Sequence, residues 1–337
     1  MSQMSIAQAI RQAIREEMLR DSRVFCIGED IGVKGGFGGA FTVTLGLSDE
    51  FGHERILDTP ISEIGLAGVA IGAACAGLRP IADVQYGDFL FCMMDQLADQ
   101  AAKMRYMSGG KITVPMVMRA PVGSTSRGAQ HAQSLEAFFT HIPGLKVLAP
   151  ATAYDAKGLL KSAVRDDNPV LIFEHKLLYG SKGPRSERGA LSPIGEVPDE
   201  DYTVPIGKGI IRREGKDVTI VGKLLTLYRA LEAADQLEKD GIQAEVIDPR
   251  TLVPLDKDLI LESVRKTGRL VIVEEDNITG GWAGDLAAIV AEEAFYWLDA
   301  PIKRVSAPDA PAPFAPVLEK LYVPSVERVV QAVKALF

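Results

Sequence analysis

The chain has 337 residues, 47% of them hydrophobic and 24% charged, an ordinary globular composition with room for about two domains of roughly 100–200 residues. No apolar run approaches the ~18 residues that span a bilayer, and the charged stretch from Met1 to Arg20 lacks the apolar core of a secretory signal, so neither a membrane-spanning helix nor a secretory signal is expected. A net charge of −8 argues against a nucleic-acid partner, and Cys26, Cys75 and Cys92, without CxxC spacing and each in apolar surroundings, read as buried reduced thiols of a cytoplasmic protein.

Ser5 followed three residues later by Gln8 predicts a capping box, with Ile6, Ile10, Ala13, Ile14 and Met18 on one helical face. Val24 to Ile27 is a buried strand that gives way to Gly28-Glu29-Asp30 and a glycine-rich loop from Gly32 to Gly39. From Ser62 to Gly77 runs a helix of small residues. Glycine costs about 1 kcal/mol per helical position relative to alanine, so this composition implies close approach by a neighbouring helix or a ligand. Further strands are expected at Ile81 to Gln85, Val114 to Met118, Val147 to Leu148 and Val170 to Phe173, with helices at Phe89 to Met107 and Tyr154 to Arg165. Strands alternating with helices imply a parallel sheet covered on both faces.

The alternation stops from Ser181 to Pro205, a stretch of Gly, Pro, Ser and charges. It resumes with strands at Val218 to Val221, Ala244 to Ile247, Leu270 to Val273 and Ile302 to Val305, and helices at Leu224 to Leu237 and Ala283 to Trp297. The expected organisation is two α/β domains, 1–190 and 206–337, joined by a linker over 191–205.

Several chemistries lack their motifs. The sequence holds no GxGxxG opening a helix, no GxxxxGK[ST], no HExxH and no GxSxG, and its four histidines have no metal-ligand spacing. Polar residues do stand at element boundaries. Glu63 lies at the start of the small-residue helix, where it caps the helix dipole or serves a ligand. Phe89, in Tyr86-Gly87-Asp88-Phe89, is a core aromatic or a stacking surface. His131, in Gly128-Ala129-Gln130-His131, is a surface residue or an acid–base group.

Taken together, the segments DTPISEIGLAGVAIGAACAGLRPIADVQ, DFLFCMMDQLADQAAKMRYMSGG, RGAQHAQSLEAFFTHIPGLKVLAP and YDAKGLLKSAVRDDNPVLIFEHKLLYG resemble the beta subunits of the thiamine-diphosphate-dependent, decarboxylating component of 2-oxo acid dehydrogenase complexes. VIDPRTLVPLD, VIVEEDNITGGW and RVSAPDAPAPF extend the resemblance through the second half. It implies a pyrimidine-binding domain followed by a transketolase-like C-terminal domain. By position in these motifs, Glu63 would hydrogen-bond N1′ of the aminopyrimidine, favouring the imino form that takes up the thiazolium C2 proton. Phe89 would stack on the pyrimidine. His131 would stand beside the thiazolium and stabilise charge or pass a proton to a lipoyl sulfur. Glu29 would lie near the pyrimidine end, on a carboxylate path with Glu63. The turn from Ser162 to Pro169 resembles a potassium loop, with Met116, Ala163, Val164, Asp166 and Asn168 as ligands, or is a plain helix end.

The diphosphate of this cofactor is held through Mg²⁺ on a segment that begins GDG, and this sequence has no GDG. The resemblance therefore implies half of an active site, with the Mg²⁺ ligands on a separate alpha subunit. The implied assembly has two alpha and two beta chains, with docking to the subunit-binding and lipoyl domains of a dihydrolipoyl acyltransferase. Pyruvate is the leading substrate, with branched-chain 2-oxo acids and acetoin as alternatives. A scaffold subunit that kept the fold without chemistry is the rival reading, and the presence of Glu63 and His131 speaks against it.

Overall fold

The computed structural model describes residues 1–180, 190–191 and 193–337. Strand β1 (Ser2–Ser5) ends on the residue that starts helix α1 (Ile6–Arg20). Ser5 Oγ accepts the Gln8 N–H at 3.3 Å and the Gln8 side chain accepts the Ser5 N–H at 2.9 Å, which is the expected capping box. Ile6, Ile10, Ala13, Ile14 and Met18 are buried on the expected face.

Next come β2 (Val24–Gly28), α2 (Leu47–Phe51), β3 (Ile56–Asp58), α3 (Glu63–Cys75) and β4 (Arg79–Asp83). The single helix expected from Phe89 to Met107 is instead a 3-10 stretch (Gly87–Met93), a π turn (Gln96–Ala101) and then α4 (Ala102–Met107). Strand β5 (Val117–Val122) starts later than the sequence suggested, because Pro115 offers no N–H to a ladder. Helix α5 (Glu136–Thr140), β6 (Lys146–Leu148), α6 (Ala153–Arg165) and β7 (Val170–His175) follow.

The stretch read as a linker contains strand β8 (Ile194–Val197), which pairs antiparallel with β1; positions 181–189 and 192 of that stretch lie outside the described residues. The second unit runs β9 (Ile210–Arg213), β10 (Val218–Gly222), α7 (Leu225–Lys239), β11 (Ala244–Asp248), β12 (Thr251–Val253) and α8 (Lys257–Thr267). It ends with β13 (Leu270–Asn277), α9 (Trp282–Glu293), β14 (Lys303–Ala307), α10 (Pro316–Tyr322) and α11 (Val326–Lys334). Trp297, expected inside α9, falls in a separate 3-10 turn (Phe295–Trp297).

Besides the β1-β8 pair, one sheet has seven strands in the order β12-β6-β7-β5-β4-β2-β3 and another has five in the order β14-β13-β10-β11-β9. Each is parallel except at one edge, where β12 pairs antiparallel with β6 and β9 with β11. Strand β12 thus crosses from the second unit to close the edge of the first sheet. Strands β2, β5, β7, β10 and β11 are buried at every position, as strands covered on both faces must be. One apolar core joins α3 and the far side of the first sheet to α8 and α9, so it runs through both units. A second core lies under α1 and α6, and a third under α7 and α11.

The cysteines correct the sequence reading. Cys26 is buried in β2, but Cys75 and Cys92 are exposed. Helix α3 is apolar all round, yet this chain covers only the face of Leu66, Ala67, Ala70, Ile71 and Ala74. Ile64, Val69 and Cys75 point away from it. No helix among the described residues is long and apolar enough to cross a membrane.

Candidate active site

The parallel strands of the first sheet place their carboxyl ends on one rim, the usual ligand side of such sheets. Glu29 follows β2, Glu63 follows β3, Phe89 follows β4, His131 follows β5 and Lys176 follows β7. Residues far apart in sequence meet there because every parallel crossover returns the chain to the same edge.

Glu63 is the first residue of α3, and its neighbour Ser62 makes no side-chain cap. The Glu63 and Glu29 carboxyls are both half-buried, and neither has a hydrogen-bond partner among the described residues. Burial pushes the Glu29 carboxyl above its ordinary range, and the nearby charges of Glu63, Asp30 and Asp83 push it further. The Thr59 hydroxyl, four residues before Glu63, is buried without a partner.

Phe89 sits in the 3-10 stretch, its N–H bonded to the Tyr86 carbonyl at 3.0 Å. Its ring lies edge-on to His131 (5.4 Å between centroids) and to Tyr86 (5.8 Å), and Tyr86 lies edge-on to His131 at 4.9 Å. The structure therefore brings Phe89 and His131 together and adds Tyr86, which sequence reasoning missed.

The loop that carries His131 is held from several sides. Lys176 Nζ donates to the His131 carbonyl and lies 5.0 Å from the centre of the Tyr86 ring. The buried carboxylate of Asp88 accepts from Gln133 Nε2 at 2.8 Å and from the Gln133 N–H at 3.3 Å. Gly128 turns the loop at φ +84°, and a Cβ there would meet the Phe314 ring at 3.2 Å. Sequence reasoning missed Asp88 and Lys176 as well, because each meets its partner in the His131 loop across 45 residues of chain.

A buried arginine braces the rim from below. Arg119, 1% exposed on β5, bonds Glu174 of β7 at 2.9 and 2.5 Å and Asp83 of β4 at 2.5 Å. Tyr179 donates its hydroxyl to Glu174 at 2.5 Å. Opposite charges on three adjacent strands fix their ends in register.

These residues fit the pyrimidine half of thiamine diphosphate. Two carboxyls without described partners and an orphaned hydroxyl offer hydrogen-bonding groups on the rim that also carries the half-exposed Phe89 ring. Among the described residues, no three His, Cys, Asp or Glu side chains converge on a metal-sized space.

The turn after α6 has a different character. Arg79 donates to the carbonyls of Val164 at 2.8 Å and Asp166 at 3.0 Å, and pairs with Asp167 at 2.5 Å. The Asp166 carboxylate accepts from the Asn168 N–H and side chain at 2.8 and 2.7 Å and binds Lys146. The Met116 carbonyl accepts from Val170 at 2.9 Å and the Ala163 carbonyl from Asp166 at 3.2 Å. The Asp166 carboxylate and the carbonyls of Met116, Ala163 and Val164 thus already have partners in the protein, and all are hard oxygen atoms of the kind that suits an alkali cation.

Comparison with known proteins identifies the family. Residues 2–182 match the transketolase pyrimidine binding domain and residues 207–329 the transketolase C-terminal domain. The chain is 49% identical to the 2-oxoisovalerate dehydrogenase subunit beta of Bacillus subtilis (strain 168), over 100% of its own length and 99% of that protein's. It is 48% identical to the acetoin:2,6-dichlorophenolindophenol oxidoreductase subunit beta of the same organism, over 97% and 95% of the two chains. It is 47% identical to the pyruvate dehydrogenase E1 component subunit beta of Rickettsia felis, over 98% of each. A solved structure of a split-gene transketolase, an inactive beta4 tetramer, superposes with a TM-score of 0.77 at 26% identity, covering 99% of this chain and 98% of that one. The chain belongs to the family of beta subunits of the thiamine-diphosphate-dependent, decarboxylating component of 2-oxo acid dehydrogenases.

Proposed function

We propose that this chain, paired with an alpha subunit, binds the pyrimidine half of thiamine diphosphate and takes part in oxidative decarboxylation of a 2-oxo acid with acyl transfer to a lipoyl group. One observation carries the reading: Glu63 offers a half-buried carboxyl without a described partner, on the same rim as the Phe89 ring and the His131 imidazole. When bound, the cofactor supplies the electron sink for cleavage next to the substrate carbonyl. Glu63 holds a proton at a pyrimidine nitrogen. Phe89 gives the pyrimidine a flat apolar face. His131, its carbonyl fixed by Lys176, holds a proton on the lipoyl side. Glu29 extends the acidic path away from Glu63.

Mg²⁺ and the diphosphate are assigned to the alpha subunit. Support comes from a sequence without GDG and from a rim that carries carboxyl, phenyl and imidazole groups. A potassium ion is assigned to the carbonyls of Met116, Ala163, Val164 and Asn168, with Asp166. Higher melting temperature in KCl than in NaCl at equal ionic strength is the expected result, and no difference contradicts it. A second beta chain and the acyltransferase's subunit-binding and lipoyl domains complete the expected partners. The free thiols at Cys26, Cys75 and Cys92 suit a reducing, cytoplasmic location. The chain is assigned a pyrimidine-binding domain over 1–190 and a transketolase-like C-terminal domain over 206–337, joined by a linker over 191–205.

The three relatives carry different substrate names at 47–49% identity, a spread too narrow to rank pyruvate, 2-oxoisovalerate and acetoin. Turnover of the reconstituted alpha–beta pair on these three compounds tests the proposal. A lipoyl-dependent product from pyruvate or 2-oxoisovalerate is expected. Activity on acetoin alone changes the reaction to carbon–carbon cleavage without loss of CO₂, and no activity on any contradicts the reading.

A further inference from the structure

Strand β13 of the second unit ends in three consecutive acids, Glu274, Glu275 and Asp276, and the middle one reaches into the first unit. Glu275 is 6% exposed. Its Oε1 accepts the N–H of Ser124 at 3.2 Å and its Oε2 lies 2.5 Å from His175 Nε2. The Leu177 N–H donates to His175 Nδ1 at 3.2 Å, which leaves Nε2 as the protonated nitrogen that donates to Glu275. Burial pushes the Glu275 carboxyl upward, but His175 and the Ser124 N–H outweigh it and hold the group below its usual range.

Ser124 passes this grip to the loop that carries His131. Its Oγ donates to the Ala132 carbonyl at 3.2 Å, one residue beyond His131, and the Gly123 N–H donates to the Gln133 carbonyl at 3.2 Å. Gly123 stands at φ +92°, and a Cβ there would fall 2.0 Å from His175 Nε2. Backbone, imidazole and carboxylate are packed without room for adjustment. A buried carboxylate that has given up water makes strong charge-assisted bonds, so its two partners are fixed more tightly than neutral acceptors would fix them.

We propose that Glu275 is a positioning residue for His131, acting through Ser124, so that the second unit sets where the imidazole meets the lipoyl group. The proposal rests on the role given to His131 above. A glutamine at this position keeps the size of the side chain but has one oxygen for two donors; with that oxygen on the His175 Nε2–H, its NH2 is turned toward the Ser124 N–H. The fixed carboxylate grip on Ser124 is then lost without a cavity.

The test uses the reconstituted alpha–beta pair with thiamine diphosphate and Mg²⁺, measured in two ways: with a lipoyl domain as acceptor, and with the dye 2,6-dichlorophenolindophenol. Glu275→Gln is expected to lower kcat with the lipoyl domain about tenfold while dye-coupled kcat stays within about twofold. Ser124→Ala, which removes only the hydroxyl, is expected to give the same split at about threefold and serves if Glu275→Gln fails to fold. Equal losses in both assays, or no loss in either, overturn the proposal. His131→Ala separates it from the reading beneath: if that variant keeps full lipoyl-dependent turnover, the role of His131 itself is wrong.

Discussion

Two groups of acids in this molecule look alike in sequence and differ in what surrounds them. At the rim of the first sheet, Glu29 and Glu63 are half-buried and have no described hydrogen-bond partner. Between the two units, Glu136, Glu274, Glu275 and Asp276 are buried around a cation: Lys223 lies 3.2 Å from Glu136 and 3.7 Å from Asp276, and Glu274 accepts from Ala283 at 2.8 Å and Ser306 at 3.0 Å, although the Glu136 oxygens and Asp276 Oδ1 have no hydrogen-bond partner among the described residues. A carboxyl whose charge is met inside the protein by a buried cation or by hydrogen bonds serves the fold. One left without a partner in a half-buried place is available to a ligand. Burial and the charge of Asp276 raise the Glu136 carboxyl well above its usual range, although Lys223 acts the other way.

The sharpest way to break this distinction is to neutralise one acid in each group. Glu63→Gln is expected to lower turnover of the reconstituted pair by about 10²–10⁴-fold, the usual range for loss of a proton-transfer group, with an unchanged melting temperature. Lost stability with intact turnover would place Glu63 among the structural acids. Lys223→Met leaves the inter-unit acids without their cation and is expected to cost about 3–5 kcal/mol in denaturant unfolding. A loss under about 1 kcal/mol would mean that the cluster is neutralised by some other means.

A subtler comparison uses pH. Burial and the charge of Asp276 push the Glu274 carboxyl up to about 8. A group raised on folding contributes stability that is complete below its unfolded value near 4.5 and lost as pH rises through the folded value, so thermal stability should decline from about pH 5 to pH 8. Glu274→Gln is expected to flatten that decline; an unchanged slope assigns it to another group. The smallest effect lies far from both clusters. Ser5→Ala removes one side of the capping box and should cost about 1 kcal/mol in unfolding, without touching turnover.

Much of the architecture was legible because buried parallel strands such as Val24–Gly28 and Val218–Gly222 are near-continuous apolar runs. Strands β1, β3, β8, β9 and β12 escaped detection because three or four residues of mixed polarity carry no measurable period. The late start of β5 and the π turn were also hidden: one depends on Pro115 and the other on a ladder register that composition does not encode. The rim residues were findable since each follows a strand and belongs to a long family motif. The supports of His131 were not. Lys176 stands 45 residues from the loop it holds, and Glu275 stands 151 from Ser124, so only folding brings either pair together.

The central claim is that this chain supplies one half of a shared site. Equilibrium binding of thiamine diphosphate with Mg²⁺, measured by calorimetry on the beta chain alone and on the alpha–beta pair, tests it most directly. Tight binding by the pair, with binding by the isolated chain at least about a hundredfold weaker, is the expected result. Tight binding and 2-oxo acid decarboxylation by the isolated chain would contradict it.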